Sequence, residues 1–468
     1  MKNEPKKENV YQLNGEVPLS TAIPLGLQHV AAMFAGNLTP ILIITGICGI
    51  SSGSALQITI LQNAMLISGL VTLLQVIGFG PIGGKLPIVM GTSSGFIGVS
   101  KGIASSMGGG LIGFGAILGA SLIGGLFEGV LGFFLKPLRK FFPSIVTGTV
   151  VLAIGLSLLD VGIAFFAGGF GAKDFGSIEN LTLGFIVLIV IIIFRHAKSP
   201  FLQATSIIIG IMVGYLVSGI MGIILPKTLS IIAADGSTTE VLKSWVLSGQ
   251  QIANAKWFSL PKFMPVKLVF DVKAIFPMLI MFIVTTVETI GDVSGITQGG
   301  MDREATDDEL SGAVMCDGVG SSLASIFGVL PNTSFSQNVG LVGMTGIVNR
   351  FVIGIGGLAL VLCGLFPKLA AIISIMPMSV LGGAAVMMFA SIAVSGIGLL
   401  TKEKLTSRNI TILIVSLGLG FGLGSNPAAV AHLPSVLQLF FSGSGIVPAA
   451  IFAIVLNIIL PKEIEEAK

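Results

Sequence analysis

Charge is scarce in this chain: only 10% of its 468 residues are Asp, Glu, Lys or Arg, against about 25% in an ordinary soluble domain. That deficit excludes a soluble enzyme, because so few charges cannot cover a water-facing surface of this size. Cysteine is equally rare. Cys48, Cys316 and Cys363 lie far apart in apolar or small-residue runs, without the spacing of a metal or redox pair. They are read as inert packing residues, and nothing in the sequence asks for a metal or another cofactor. The net charge of +3 is too small to suggest a nucleic-acid partner. The polar stretch 1–20 lacks the small-residue cleavage site of a signal peptide. The first apolar segment is therefore expected to serve as its own insertion signal.

What the chain has instead is apolar length, with 53% hydrophobic residues and a mean hydropathy of +0.99. Its 64 glycines suit close helix approach and broken helices in a bilayer. A bilayer-crossing helix needs about 20 mostly apolar residues. Breaks at charges, prolines and glycine clusters place spans near 22–46, 56–78, 86–104, 110–134, 144–166, 179–195 and 200–225. A second set falls near 274–297, 308–328, 333–347, 350–367, 370–398, 408–426 and 444–461. Fourteen spans result. The third and tenth are the least helical, interrupted by Pro87, Gly91-Thr92-Ser93-Ser94-Gly95 and Pro331-Asn332-Thr333-Ser334.

With the N-terminus cytoplasmic, the inside segments hold sixteen of the 25 basic residues, among them Lys2, Lys6, Lys7, Lys136, Lys140, Lys462, Lys468 and all five arginines, Arg139, Arg195, Arg303, Arg350 and Arg408. This distribution satisfies the positive-inside rule and puts both termini in the cytoplasm. An internal repeat divides the chain. Pro143-Ser144-Ile145-Val146-Thr147-Gly148 through Ile163 aligns without gaps on Pro377-Met378-Ser379-Val380-Leu381-Gly382 through Ile397, at an offset of 234, half of 468. Gly91-Thr92-Ser93-Ser94 likewise matches Asn332-Thr333-Ser334-Phe335. Seven spans is an odd number, so the second copy must be inverted in the membrane, an arrangement found in transporters that bind substrate near the midplane.

Five acidic residues fall inside the proposed spans away from their ends: Glu128, Asp160, Glu288, Asp292 and Asp317. Intramembrane ionisable residues are candidate functional sites. The i,i+4 spacing of Glu288 and Asp292 puts both carboxyls on one helical face, with no mid-membrane basic residue to pair them. Two such groups one turn apart cannot both carry charge cheaply, and a shared proton is what a proton-coupled carrier needs. Glu128 and Asp160 have no motif of their own and are read as structural. His29 is read as a hydrogen-bonding packing residue beside Gln28. Gln337 and Asn338 are costly in lipid unless their amides find partners, which implies a buried polar site or a polar ligand.

The run Ser336-Gln337-Asn338-Val339-Gly340-Leu341-Val342-Gly343-Met344-Thr345-Gly346 resembles the signature of the nucleobase–ascorbate transporter family: Gln/Glu/Pro-Asn-x-Gly, four free positions, Thr, then Arg/Lys/Gly. Every fixed position is met. Val287-Glu288-Thr289-Ile290-Gly291-Asp292 resembles the eighth span of that family, whose Glu contacts substrate. Asp317 in Cys316-Asp317-Gly318 resembles a ninth-span aspartate, and Gln28-His29 a first-span Gln-His pair. The resemblance spans nearly the whole chain.

The resemblance implies an all-α polytopic fold of two inverted seven-span repeats, with short strands in broken spans three and ten. It implies a core domain (22–135 and 274–367) and a gate domain (136–225 and 368–461), between a tail 1–21, an extracellular loop 226–273 and a tail 462–468. A homodimer in the plasma (inner) membrane, surrounded by lipid, is expected. The implied substrate contacts are Glu288, Gln337, Ser336, Phe335, Ser94 and Phe96; Ser94 stands where a Phe that stacks on the base is common, with Phe335 and Phe96 nearby. Asp292, Asp317, Asn338, Gln28, His29 and Thr345 are implied for proton coupling or site support. Gln at position 337 resembles the xanthine and uric acid branch, where uracil carriers commonly have Glu and ascorbate carriers Pro. The expected activity is proton-driven import of a purine base. A uracil or other nucleobase symporter of the same family is the nearer alternative, and an anion carrier of similar architecture the distant one.

Overall fold

A computed structural model describes residues 9–135, 143–232, 238–433 and 445–461. The first half comprises α1 (Leu19–Ile47), α2 (Ala55–Ile77), β1 (Met90–Thr92), α3 (Ile97–Ser106), α4 (Gly110–Phe133), α5 (Ser144–Phe166), α6 (Ile178–Arg195) and α7 (Pro200–Ile224). A hairpin, β2 (Thr228–Ile232) and β3 (Thr238–Leu242), and a short α8 (Gln250–Asn254) follow. The second half comprises α9 (Val272–Met301), α10 (Asp307–Ile326), β4 (Asn332–Ser334), α11 (Ser336–Thr345), α12 (Arg350–Cys363), α13 (Pro367–Ser374), α14 (Met378–Leu400), α15 (Ser407–Ser425) and α16 (Ile446–Ile459).

Among the described residues nine helices are long and apolar enough to cross a membrane, or ten if the bent pair α12 and α13 forms one span. The other proposed spans are the two broken segments, α10 with its acidic first turn of Asp307, Asp308 and Glu309, and the 14-residue α16. The segment 370–398 is not one span. Ile375 and Met376 leave the helix before Pro377, which caps α14 with an extended backbone, because the residue preceding proline is driven out of the helical region. The chain bends by 84° between α12 and α13. Lys2, Lys6, Lys7, Lys136, Arg139, Lys140, Lys462 and Lys468 lie outside the described residues.

The interruptions of spans three and ten pair with each other. β1 and β4 run antiparallel, with Met90 opposite Ser334, Gly91 opposite Thr333 and Thr92 opposite Asn332. All six residues are buried. Non-helical backbone at membrane depth persists only where protein satisfies it, and neighbouring helices do so here. Asn37 Oδ1 accepts from the Thr92 amide at 2.7 Å, Thr72 Oγ1 from the Met90 amide at 2.9 Å, and Ser321 Oγ from the Asn332 amide at 3.0 Å. Helices α3 and α11 follow the C-terminal ends of β1 and β4, at opposite ends of the antiparallel pair. α11 closes at Gly346, whose φ of +70° explains a glycine at the last motif position.

The repeat copies α5 and α14 pack directly on each other. Their glycines set the separation: an added Cβ at Gly155 would lie 2.2 Å from the Ala393 nitrogen, and one at Gly396 2.4 Å from the Leu152 nitrogen. The loop between α7 and α9 is structured beyond what its sequence suggests. Ser218 Oγ donates to the Trp245 carbonyl at 2.7 Å, and Gln62 and Asn63 on α2 hold the carbonyls of Ser259 and Lys262 at 2.9 Å. At the other end, Asn349 Nδ2 bonds the carbonyls of Asn9, Gln12 and Gly15, so this part of the N-terminal segment is docked against α12.

A Cβ at Gly382 would lie 2.0 Å from the Phe166 nitrogen. Gly382→Ala should therefore force α5 and α14 apart and destabilise the fold by about 1–3 kcal/mol. The expected readout is a lowered thermal midpoint of the detergent-purified protein; an unchanged midpoint would show that the two helices separate freely.

Candidate functional site

Three carboxyls converge on the strand pair. Glu288 and Asp292 lie one turn apart on α9, and Asp317 sits on α10; all three are buried. Asp292 Oδ2 accepts from Ser334 Oγ at 2.6 Å, and Ser336 lies close to the same carboxyl. Asp317 Oδ2 accepts from Thr333 Oγ1 at 3.0 Å and from Thr289 Oγ1. One oxygen each of Glu288 (Oε2) and Asp317 (Oδ1) has no protein donor. Hydroxyls from β4 and α9 thus hold two carboxyls in place and leave acceptor oxygens over for a donor-bearing ligand or a proton.

The amide pair splits its roles. Asn338 is buried, and its Nδ2 donates to the His29 carbonyl at 3.0 Å and meets His29 Nδ1 at 3.1 Å. An NH2 group bound to that carbonyl presents its second hydrogen to Nδ1, so the His29 proton resides on Nε2. His29 and Asn338 therefore join α1 to α11, and Gln28 is buried alongside. Ser336 and Gln337 are only partly covered. They line a cavity of about 500 Å³ together with Gly340, and Arg195, Gln203 and Ser391 face them from α6, α7 and α14. Ser336 lies at the cavity and close to Asp292.

The proposed aromatic contacts lie elsewhere in this conformation. Phe96 is fully buried, its ring centroid 4.7 Å from that of Phe282. Phe335 packs among Val30, Met33, Val89 and Leu360. Its ring occupies space cleared by Gly36 and Gly91, where an added Cβ would approach it to 2.8 and 2.6 Å. Ser94 opens the turn before α3 and is partly exposed. Thr345 acts locally: Oγ1 donates to the Leu341 carbonyl at 2.8 Å and accepts from the Ile347 amide at 3.3 Å, finishing α11 away from the carboxyls.

Four residues escaped the sequence reading: Thr289, Thr333 and Ser334, which bond the carboxyls, and Asn37, which takes the Thr92 amide and the Ser68 hydroxyl at 2.7 Å each. A signal existed for the first. Thr285, Thr286 and Thr289 cluster beside Glu288 on one helix, where hydroxyls have few uses except to bond across helices.

A family model described as "Permease family" (Xan_ur_permease) matches residues 20–428. The chain is 35% identical over 445 residues to the xanthine permease of Bacillus subtilis, covering 93% of each chain. It is 30% identical over 466 residues to the xanthine permease XanP of Escherichia coli, covering 97% of this chain and 95% of that one. Among solved structures, the transmembrane domain of the cyanobacterial bicarbonate transporter BicA aligns with a TM-score of 0.55 at 15% identity, covering 94% of this chain and 97% of that one. That likeness establishes a shared fold: an all-α, multi-pass membrane architecture.

Thr289→Val keeps the side-chain shape but removes a hydroxyl donor from the buried Asp317. Stability should fall by about 1–3 kcal/mol, the cost of a buried acceptor left short of a partner. A thermal midpoint in detergent equal to that of the unaltered protein would show that Thr333 alone suffices.

Proposed function

The chain belongs to this permease family, the nucleobase–ascorbate transporter family that its motifs resemble, and from that premise we propose that it imports a purine base, xanthine or uric acid or both, in symport with protons. The observation that carries the reading is the placement of Gln337 and Ser336 on the cavity, just beyond Ser334, which bonds the acidic cluster through Asp292. Xanthine and urate present lactam groups, each an N–H donor beside a C=O acceptor. A carboxylate such as Glu288 accepts from the N–H, and the Gln337 amide donates to the carbonyl and accepts from a neighbouring N–H. The Ser336 and Gln337 amides precede the first bond of α11, from the Asn338 amide to the Phe335 carbonyl at 2.9 Å, and add donors at the same place. A ligand that leaves these groups unpaired is penalised, which gives discrimination beyond shape.

Alternating access would follow from motion between two bodies: a core of residues 22–135 and 274–367, and a gate of 136–225 and 368–461. Supporting this division, the cavity is walled by Ser336, Gln337 and Gly340 on one side and by Arg195, Gln203 and Ser391 on the other. We further propose a homodimer in the cell (inner) membrane with cytoplasmic termini. The bicarbonate transporter of the same fold raises anion carriage as a rival. An acidic cluster to which no basic side chain bonds among the described residues fits the N–H donors of a purine base better than a bicarbonate ion.

Glu288→Gln preserves size and removes both charge and titratable proton. Losing a charge-assisted hydrogen bond to the base should weaken binding by roughly 1.5–3 kcal/mol, with active uptake of labelled xanthine nearly abolished and membrane insertion normal. Accumulation at the unaltered level would remove Glu288 from the mechanism.

The proton is a co-substrate in this reading, so uptake should rise as external pH falls from about 8 to about 6, where a buried carboxyl can load. It should collapse when a protonophore is added in abundant sodium. Uptake that ignores the protonophore yet requires a sodium gradient would overturn proton coupling and leave the purine assignment in place.

A further inference from the structure

Glu128 belongs to none of the matched motifs, and alone it reads as a structural residue on α4. The structure gives it different company. It is fully buried, and its Oε1 accepts from Thr285 Oγ1 at 3.0 Å and Thr286 Oγ1 at 3.3 Å. Those hydroxyls stand on α9 immediately before Glu288. Its Oε2 meets no donor, as with Glu288 Oε2 and Asp317 Oδ1. The titratable groups facing Glu128 are Asp317 on α10 and Glu288 on α9, and no Lys, Arg or His bonds to any of the three among the described residues. Helix α4 is fixed against α10 at backbone distance: a Cβ on Gly318 would lie 2.2 Å from the Gly129 nitrogen, and one on Gly125 2.6 Å from the Gly318 oxygen. These contacts hold the α4 backbone beside α10, and the two threonine bonds keep the Glu128 carboxyl on the side of α9 that carries Glu288.

Three buried carboxyls without a cation cannot all be ionised at tolerable cost. A residue needed only to receive two threonine hydroxyls could be a glutamine, whose carbonyl accepts without that cost. We propose that Glu128 is a proton-carrying member of the transport site. A proton released by Asp317 or Glu288 is taken up on the free Oε2 of Glu128 and later returned, so the charge of the cluster is unchanged at each transfer. This inference rests on the reading of the protein as a proton-driven purine carrier.

The test compares Glu128→Gln and Glu128→Asp with the unaltered protein, each purified and placed in liposomes. Two quantities are read: exchange of labelled xanthine at equal pH on both sides, and accumulation under an imposed gradient. With a gradient of about one pH unit, each coupled proton supports about tenfold accumulation. Glu128→Gln keeps the acceptor for both threonines, so exchange should persist while accumulation falls about tenfold per lost proton and its pH profile flattens. Glu128→Asp keeps a titratable proton and should accumulate xanthine with a displaced pH midpoint. Unaltered accumulation and pH profile in Glu128→Gln would overturn the proposal, as would loss of exchange and accumulation together in folded protein, which makes Glu128 a binding residue. If Glu128→Gln does not fold, an undisplaced midpoint in folded Glu128→Asp overturns it. Unaltered protein whose accumulation survives a protonophore refutes the underlying proton reading instead, a result separable from failure of Glu128 alone.

Discussion

The pairing of two three-residue strands, Met90–Thr92 with Asn332–Ser334, is the constraint on which the rest of the structure depends. Exposed peptide groups are intolerable in hydrocarbon, so each interrupted span needs an unpaired backbone to bond, and the other supplies it. The bond joins the two halves of the chain at the point where both break. It also aims the chemistry. Because β4 is fixed, Thr333 and Ser334 present hydroxyls to Asp317 and Asp292, and the next residue but one begins the motif that reaches the cavity.

Around that junction the protein relies on small residues. Glycines at Gly125, Gly318, Gly155 and Gly396 let helix backbones touch, which in lipid substitutes dispersion and interhelical hydrogen bonds for the missing hydrophobic drive. The same closeness excludes space around the carboxyls. Their partners are consequently threonine and serine hydroxyls, short groups that fit between helices and donate without bringing a counter-charge. A site assembled this way is acidic, buried and short of donors, properties suited to a ligand rich in N–H groups or to a proton.

Most of the architecture was legible along the chain. Hydropathy located most of the long helices within a few residues, because lipid imposes one rule on every lipid-facing position, and Pro87, Gly91 and Pro331 marked the broken spans. The misreading at 370–398 has the same origin: Pro377 interrupts a helix inside a run that stays apolar throughout, and hydropathy does not register a bend. The loop after α7 was opaque because its order comes from distant partners, Ser218, Gln62 and Asn63, none of which advertises that use locally.

For the site, the sequence determined which groups exist: acids at Glu288, Asp292 and Asp317, an amide pair at Gln337 and Asn338, and the glycine that ends α11. Local pattern suffices for this, since an ionisable or amide side chain in an apolar run is conspicuous wherever it sits. Only the tertiary structure decided who meets whom. It gave Asn338 to His29, set Gln337 on the cavity, enclosed Phe96 and Phe335 in packing, and brought Glu128 to the threonines beside Glu288. Those pairings join residues up to 309 positions apart, and a hydrogen bond depends on angstroms between helices, a quantity set by glycine contacts across the whole bundle and written in no single segment.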